Sequence, residues 1–427
     1  VAAADEDPLT LAVAAAEDAL AAAGIEAGDI DACCWGTSRP PFAEGPSHAT
    51  LAAALGLGPR AGGLLAAGSP HAGMEAFCAA ADAVAAGTAR WALVVASDAR
   101  TPGLGSAFEA RCGAGAAAFV LGPHGPAAVG VRVQRWAPAL ERWRGDGEPT
   151  TRDVYDARLA REEVLLPSVV EVAGQLRTLE PRAWSLPELD GRLARTLARR
   201  LGIDPPASAT LDRAVGDTGA AAPWLGALAA MDTAGDVAVV GHGDGRTTGV
   251  LLHLDGPLPG AARLTPLLAG GTPVHYPAVL RARGQLSPAG EPVPMGVPPG
   301  SAMHQRGAVE VLGLLGARCG ECGTIATPPS THPTCPGCGG TKLETVPLAR
   351  TGTVHTFVVN RTMPPPFEAP LPLVVVDLDD GARLMVQAVG DGADLRVGAP
   401  VRLVLRRYAR ERGAPVYGYK AVVEEAR

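Results

Sequence analysis

Residues 319–340 read CGECGTIATPPSTHPTCPGCGG. Cys319 and Cys322 form one Cys-x-x-Cys pair, and twelve residues separate it from a second, Cys335 and Cys338. Each such pair turns back on itself so that its thiolates face one point, and two pairs complete the tetrahedral four-sulfur shell that Zn²⁺ prefers. A redox dithiol needs a single pair on a thioredoxin-like unit, and paired disulfides suit a small secreted chain. The expectation is therefore a zinc ribbon, with the metal closed off from water and serving architecture. His332, inside the same stretch, is superfluous once the cysteines are counted.

Downstream of the ribbon, residues 352–359, 373–378, 383–388 and 401–405 alternate with turn residues, as in a small antiparallel β-barrel. Upstream, residues 256–306 are rich in Pro and Gly and read as a linker carrying a short helix near 278–283. Before that, helical patterns at 8–23, 47–55 and 70–86 alternate with short apolar runs at 30–36, 91–97 and 116–121, and short apolar runs between turn signals suit a sheet interior. A second set follows, with helices at 157–179 and 186–201, a Gly-rich loop at 215–222, a helix at 224–231 and strands at 237–241 and 250–254. Strands alternating with helices imply an α/β layered fold.

At 427 residues with 47% hydrophobic content, the chain has room for two or three domains with ordinary cores. No run of eighteen apolar residues and no charged-then-apolar leader is present, so a soluble, cytoplasmic protein is expected, with no membrane partner. Val1 is not a start methionine, which leaves room for a preceding segment. The remaining cysteines, Cys33, Cys34, Cys78 and Cys112, sit in apolar surroundings and suit a reducing compartment. A net charge of −7 disfavours a general polyanion binder. Basic charge is almost all arginine, and Asn360 is the sole asparagine.

Several pieces carry a resemblance to a known family. They are DEDPLTLAVAAAEDAL, CCWGTSRPPFAEGPSHATLAAALG, VASDAR at 95–100, GAGAAAFVLG, GDTGAA and VVGHGDG. From Asp5 to about Gly256 the chain resembles the thiolase superfamily, most closely its 3-hydroxy-3-methylglutaryl-CoA synthase branch. From about Leu315 onward, with CPGC, RTGTVHTFVV and LDDGARL as landmarks, it is similar to the accessory domains that partner such enzymes, a zinc ribbon fused to an OB-fold. The resemblance implies a thiolase-like layered domain at 1–255, a linker at 256–308, a zinc ribbon at 309–345 and an OB-fold at 346–427. It also implies coenzyme A as part of the substrate, and a homodimer or a heterodimer with another thiolase-like protein.

Synthases of this branch use a cysteine at the start of a buried helix, where the dipole stabilises the thiolate, together with a histidine and an asparagine. The matching stretch here reads AAGSPHAGMEAFCAA, and the nucleophile position falls on Pro70. Proline cannot attack a thioester; behind Ser69 as N-cap it suits the first turn of a helix. Cys78, two turns on, reads as core. No histidine lies between His124 and His242, the asparagine position reads Asp217, and a carboxylate expected after Gly36 reads Ser38. Claisen condensation through an acyl-cysteine is not expected.

Two readings follow. In one, the protein makes or breaks a carbon–carbon bond of an acyl-CoA without cysteine, as in retro-aldol cleavage of a 3-hydroxyacyl-CoA, which needs a base for the hydroxyl proton and donors for the thioester enolate. His71, Asp217 and His242 are the candidate catalytic residues, each also readable as a plain loop or turn residue. In the other, the thiolase-like half is a non-catalytic protomer for a cysteine-bearing thiolase. A nucleic-acid role is disfavoured because the ribbon is not basic and Phe357, Phe367 and Tyr408 are scattered. The basic stretch at 402–412 places Arg402 and Arg406 on one face of a strand, as candidates for coenzyme A phosphates or as a solvated edge.

Overall fold

Asp7 opens the first helix. Its carboxylate accepts from the N–H groups of Leu9 and Thr10 at 3.0 and 3.1 Å, while Thr10 Oγ1 accepts from Asp7 N–H at 2.9 Å, a reciprocal cap that fixes the start of α1 (Pro8–Ala23). Gly24, at φ 64°, ends it. The structure, a computed structural model, describes residues 1–154, 156–189, 191–206, 208–286, 307–363, 369–411 and 414–424. The chain divides into two compact units, residues 1–51 with 57–287 and residues 52–56 with 288–427.

The first unit is built on two four-stranded sheets. One takes β1 (Ala32–Thr37), β2 (Gly62–Ala67), β3 (Ala92–Ala99) and β4 (Ala114–Leu121) in the order β2-β1-β3-β4, with β1 parallel to β2 and β3 and β4 antiparallel to β3. The other takes β5 (Ala127–Trp136), β6 (Ala183–Ser185), β7 (Gly235–Gly243) and β8 (Arg246–Leu254) in the order β5-β8-β7-β6. Between the sheets lie α3 (Ala72–Ala85) and α8 (Ala222–Leu228), whose Met74, Phe77 and Trp224 share one core with Val94, Ala96, Val237 and Val239. The rings of Phe77 and Trp224 stack with centroids 4.2 Å apart.

Strand periodicity splits β7 between two cores. Val237 and Val239 point inward, while Ala238 and Val240 turn to the outer face and join Val169, Val172 and Leu176 of α5 (Leu166–Arg177) and Leu193 and Leu197 of α6 (Leu193–Leu201). Helix α1 covers the outer side of β3 and β4, where Ser97 Oγ donates to the Pro8 carbonyl at 2.7 Å. The layers thus run helix, sheet, helix, sheet, helix.

Several boundaries differ from the sequence expectation. Helix α3 starts at Ala72 and not Pro70, because Ser69 Oγ accepts from His71 N–H at 3.0 Å in a local turn before the helix begins. The helix expected at 186–201 is shortened to α6, since Glu188 takes the N–H groups of Leu189, Gly191, Leu193 and Ala194 and caps the shorter helix from outside. The sequence expectation lacks strands β2, β5 and β6: GGLLAA has no β-branched residue, and β5 carries no buried residue and has an irregular register. Residues 256–287 were expected as linker but belong to the first unit. There α9 (Ala261–Ala269) and α10 (Tyr276–Ala282) form, and Tyr276 donates to Glu109 at 2.6 Å while Gln285 Nε2 donates to the Pro102 carbonyl at 2.6 Å. The rest of the expected linker, residues 287–306, lies outside the described residues, as does Phe367.

In the second unit, β9 (Leu315–Cys319), β10 (Ile325–Ala326) and β11 (Leu343–Pro347) form an antiparallel ribbon in the order β10-β9-β11. A closed barrel follows, β12-β13-β14-β16-β15, from β12 (Thr351–Asn360), β13 (Leu371–Leu378), β14 (Arg383–Ala388), β15 (Pro400–Glu411) and β16 (Ala414–Val423). Strand β13 alternates buried Val374, Val376 and Leu378 with partly exposed neighbours, the period of a sheet with one face on the core. The sequence reading lacked β16, which closes the barrel between β14 and β15.

Candidate functional site

The start of α3 is held by backbone-to-backbone contacts that only glycine permits. A Cβ on Gly36 of β1 would lie 2.3 Å from the Ala72 carbonyl oxygen, and one on Gly73 would lie 2.1 Å from that of Ala220. This packing brings Gly68, Ser69 and Pro70 to one wall of a cavity of about 350 Å³, with Asp217, Thr218 and Gly219 at another and His242 and Asp244 at a third.

The GHGDG segment resolves into a strand end and a tight hairpin. Asp244 and Gly245, at φ 59° and 63°, are the central residues of the two-residue turn joining β7 to β8, the positive-φ pair that the twist of a hairpin selects. His242 at the end of β7 lies with Nδ1 2.7 Å from Thr247 Oγ1 and Nε2 3.1 Å from Glu141 Oε1. Glu141 also accepts from Gly245 N–H at 2.8 Å. Burial pushes the Glu141 carboxyl up, but the His242 contact and the Gly245 N–H outweigh it and hold the group below the usual carboxylate range. Glu141 and His242 both line the cavity.

His71 is buried behind this pair. Its Nε2 lies 2.8 Å from Thr248 Oγ1, and its Nδ1 lies 3.7 Å from Glu75 Oε1, a carboxylate that also pairs with Arg246. Burial above all, then the charges of Arg246 and His242, pushes the imidazole down to about 4, so it is neutral near pH 7. The adjacent Thr247 and Thr248 carry the two histidines' partners on one strand.

Asp217 occupies a different corner. Arg100 Nη2 lies 2.5 Å from its Oδ1 and Arg142 Nη1 3.2 Å from its Oδ2, and both guanidiniums stack on Phe108, 4.6 and 4.3 Å from the ring centroid. Burial pushes Asp217 up, but the two arginines outweigh it and hold the carboxyl below its ordinary range. A carboxylate so clamped is a weak proton acceptor. Beside it, Asp98 is fully buried and accepts from Ser38 N–H at 2.9 Å, Ser38 Oγ at 2.9 Å, Thr37 Oγ1 at 3.0 Å and Ala220 N–H at 2.8 Å. Burial raises its carboxyl despite these partners and Arg100.

Of the residues singled out in the sequence, Asp217 and His242 line the cavity and His71 does not; Arg100, Glu141 and Arg142 also line it and were not singled out, nor was the buried Asp98. The VASDAR segment held Asp98 and Arg100 in view; nothing local distinguishes Glu141 or Arg142, which reach the site from the irregular stretch after β5. Cys78 packs in the core between the sheets, 8% exposed, with burial raising its thiol, and does not line the cavity.

In the ribbon, the sulfurs of Cys319, Cys322, Cys335 and Cys338 all lie within 4.8 Å of one another. The Cys319–Cys338 and Cys322–Cys335 separations are 3.6 and 3.5 Å, close to the ~3.8 Å edge of a tetrahedron with metal–sulfur bonds of about 2.3 Å. Glu321 N–H donates to Cys319 Sγ at 3.4 Å and Gly337 N–H to Cys335 Sγ at 3.3 Å, partners that favour thiolates. The cluster fits a metal ion. His332 turns to the Pro328 carbonyl, 3.0 Å from its Nδ1. On β15, Arg402 is exposed and 3.3 Å from Glu424, whereas Arg406 is half-buried, its Nη1 donating to the Leu405 carbonyl at 3.2 Å.

Residues 345–406 match the family described as "ChsH2, C-terminal OB-fold domain". Over 253 residues the chain is 30% identical to a hydroxymethylglutaryl-CoA synthase of Methanopyrus kandleri, covering 56% of this chain and 71% of that relative. A probable enoyl-CoA hydratase alpha subunit of Thermomonospora curvata is 36% identical over 111 residues, 26% of this chain and 34% of that protein. Among solved structures, a hydroxymethylglutaryl-CoA synthase complexed with CoA has the same fold over 66% of this chain and 78% of its own, with a TM-score of 0.56 at 17% identity.

Proposed function

Because the chain belongs to the hydroxymethylglutaryl-CoA synthase branch of the thiolase superfamily, we propose that it binds an acyl-CoA thioester in the cavity beside Pro70 and makes or breaks a carbon–carbon bond of the acyl group without an acyl-cysteine. The observation that carries this is the Glu141–His242 pair facing the cavity wall where proline replaces the nucleophile. In the cleavage direction His242 takes the C3 hydroxyl proton of a 3-hydroxyacyl-CoA. The C2–C3 bond breaks, C3 leaves as a carbonyl, and the electron pair passes to C2 as the thioester enolate, which is then protonated. His71 supports the hairpin that carries His242, and Asp217 anchors Arg100 and Arg142 at the cavity wall. In the second unit by itself, Arg402 and Arg406 are the candidates for phosphate contacts, a role in which Arg402 exchanges Glu424 for the anion. The ribbon cysteines hold Zn²⁺ as a structural ion, and the free thiols of Cys33, Cys34, Cys78 and Cys112 suit the reducing cytoplasm.

The test offers the purified full chain a panel of 3-hydroxyacyl-CoA and 3-oxoacyl-CoA esters and measures the carbonyl product. Cleavage is expected to survive Cys78→Ala and to fall about 100-fold or more in His242→Asn. Abolition of activity by Cys78→Ala, with the fold intact, sinks the cysteine-free mechanism.

One observation favours a second reading, the non-catalytic protomer of a thiolase dimer. Strand β2 is a sheet edge on which Gly62, Gly63, Leu64 and Ala67 are exposed, a surface open to pairing with another chain. Turnover only after a cysteine-bearing thiolase is added decides for this reading.

A further inference from the structure

The cavity has two chemically distinct ends. Near Pro70 it is polar, with Glu141, His242 and Arg100. Away from Pro70 the wall is formed by Leu165, Leu186, Leu189, Leu193 and Leu211, and Leu165, Leu186 and Leu193 belong to the core shared by α5, α6 and the outer face of β7. Charged side chains at this end are turned onto the protein: Glu188 accepts four backbone N–H groups, Arg161 Nη2 donates to Thr196 Oγ1 at 3.2 Å, and Asp212 faces Arg111 at 3.5 Å. What this end offers a ligand is leucine surface.

We infer that the acyl group handled here is apolar and longer than acetyl, with its far end against these leucines; this rests on the acyl-CoA reading of the site. An acetyl methyl covers little of the apolar surface that five leucine side chains present, whereas a longer chain covers more of it. Each methylene taken out of water tightens binding by up to about fourfold, so a wall of this kind discriminates by chain length.

The test is calorimetric titration of the full chain with coenzyme A, acetyl-CoA, octanoyl-CoA and hexadecanoyl-CoA. Octanoyl-CoA is expected to bind at least about tenfold more tightly than acetyl-CoA, and hexadecanoyl-CoA no more weakly than octanoyl-CoA. Ala160→Leu, at the cavity wall and only partly buried, is expected to reduce that preference to about threefold or less, and Ala157→Leu serves if the first variant does not fold. Equal or tighter binding of acetyl-CoA in the wild-type chain overturns the acyl assignment and leaves the acyl-CoA reading standing. Absence of binding by every ester and by coenzyme A overturns both.

Discussion

His71 shows how one residue's surroundings set a measurable property of the whole chain. The imidazole has an ordinary value of 6.5 and is pushed down to about 4 by burial and by the neighbouring Arg246 and His242, against the opposing charges of Asp244 and Glu141. Between those values the unfolded chain binds a proton that the folded chain refuses, so stability is full above pH 6.5 and is lost as the pH falls toward 4. The difference amounts to about 3 kcal/mol. His71→Gln is expected to remove that part of the slope in denaturant midpoints measured across this window; an unchanged slope counts against the buried neutral form. Asp217 makes the complementary case. Replacing it by Asn removes the carboxylate that pairs with the buried Arg100, and the expected loss, read by chemical unfolding, is about 3 kcal/mol.

At the scale of elements, the site depends on how closely α3 approaches β1 and the loop before α8. The sequence signalled this helix by its apolar residues, but its start is set by Gly36 and Gly73, which let carbonyl groups come where a side chain would otherwise stand. Gly73→Ala forces its new methyl against the Ala220 carbonyl and is expected to cost about 2 kcal/mol or more in unfolding measurements. The same substitution shifts the wall containing Thr218 and Gly219, so acyl-CoA affinity is expected to fall with stability. The Asp244-Gly245 turn belongs to this scale as well. In sequence it stands only as part of VVGHGDG, one piece of the resemblance; in the fold it closes a hairpin and sets His242 and Thr247 side by side.

At the scale of the whole molecule, the ribbon and barrel unit has little core around its cysteines, with Cys322 and Cys338 exposed. Metal binding therefore supplies much of the ribbon's stability, on the order of 10 kcal/mol in comparable small sites. The chain is expected to carry one zinc by elemental analysis and to lose it in Cys335→Ser, with hydrogen-exchange protection lost across β9 and β11. Full protection without metal speaks against a structural ion.

The sequence by itself determined the layered α/β half, the ribbon and most of the barrel, because short apolar runs, helix stops and the spacing of four cysteines are local signals. The resemblance likewise puts Pro70 at the nucleophile position, a reading that needs no coordinates. Only the tertiary structure decided which polar residues share the site. Glu141 and Arg142 lie in an irregular stretch with no periodic signature, and they meet His242 and Asp217 across distances of about 75 to 101 residues in the chain. It likewise decided that Asp217 is held by arginines and that His71 is neutral. Proton affinity follows from burial and neighbouring charge, and both are properties of packing that a residue's identity does not carry.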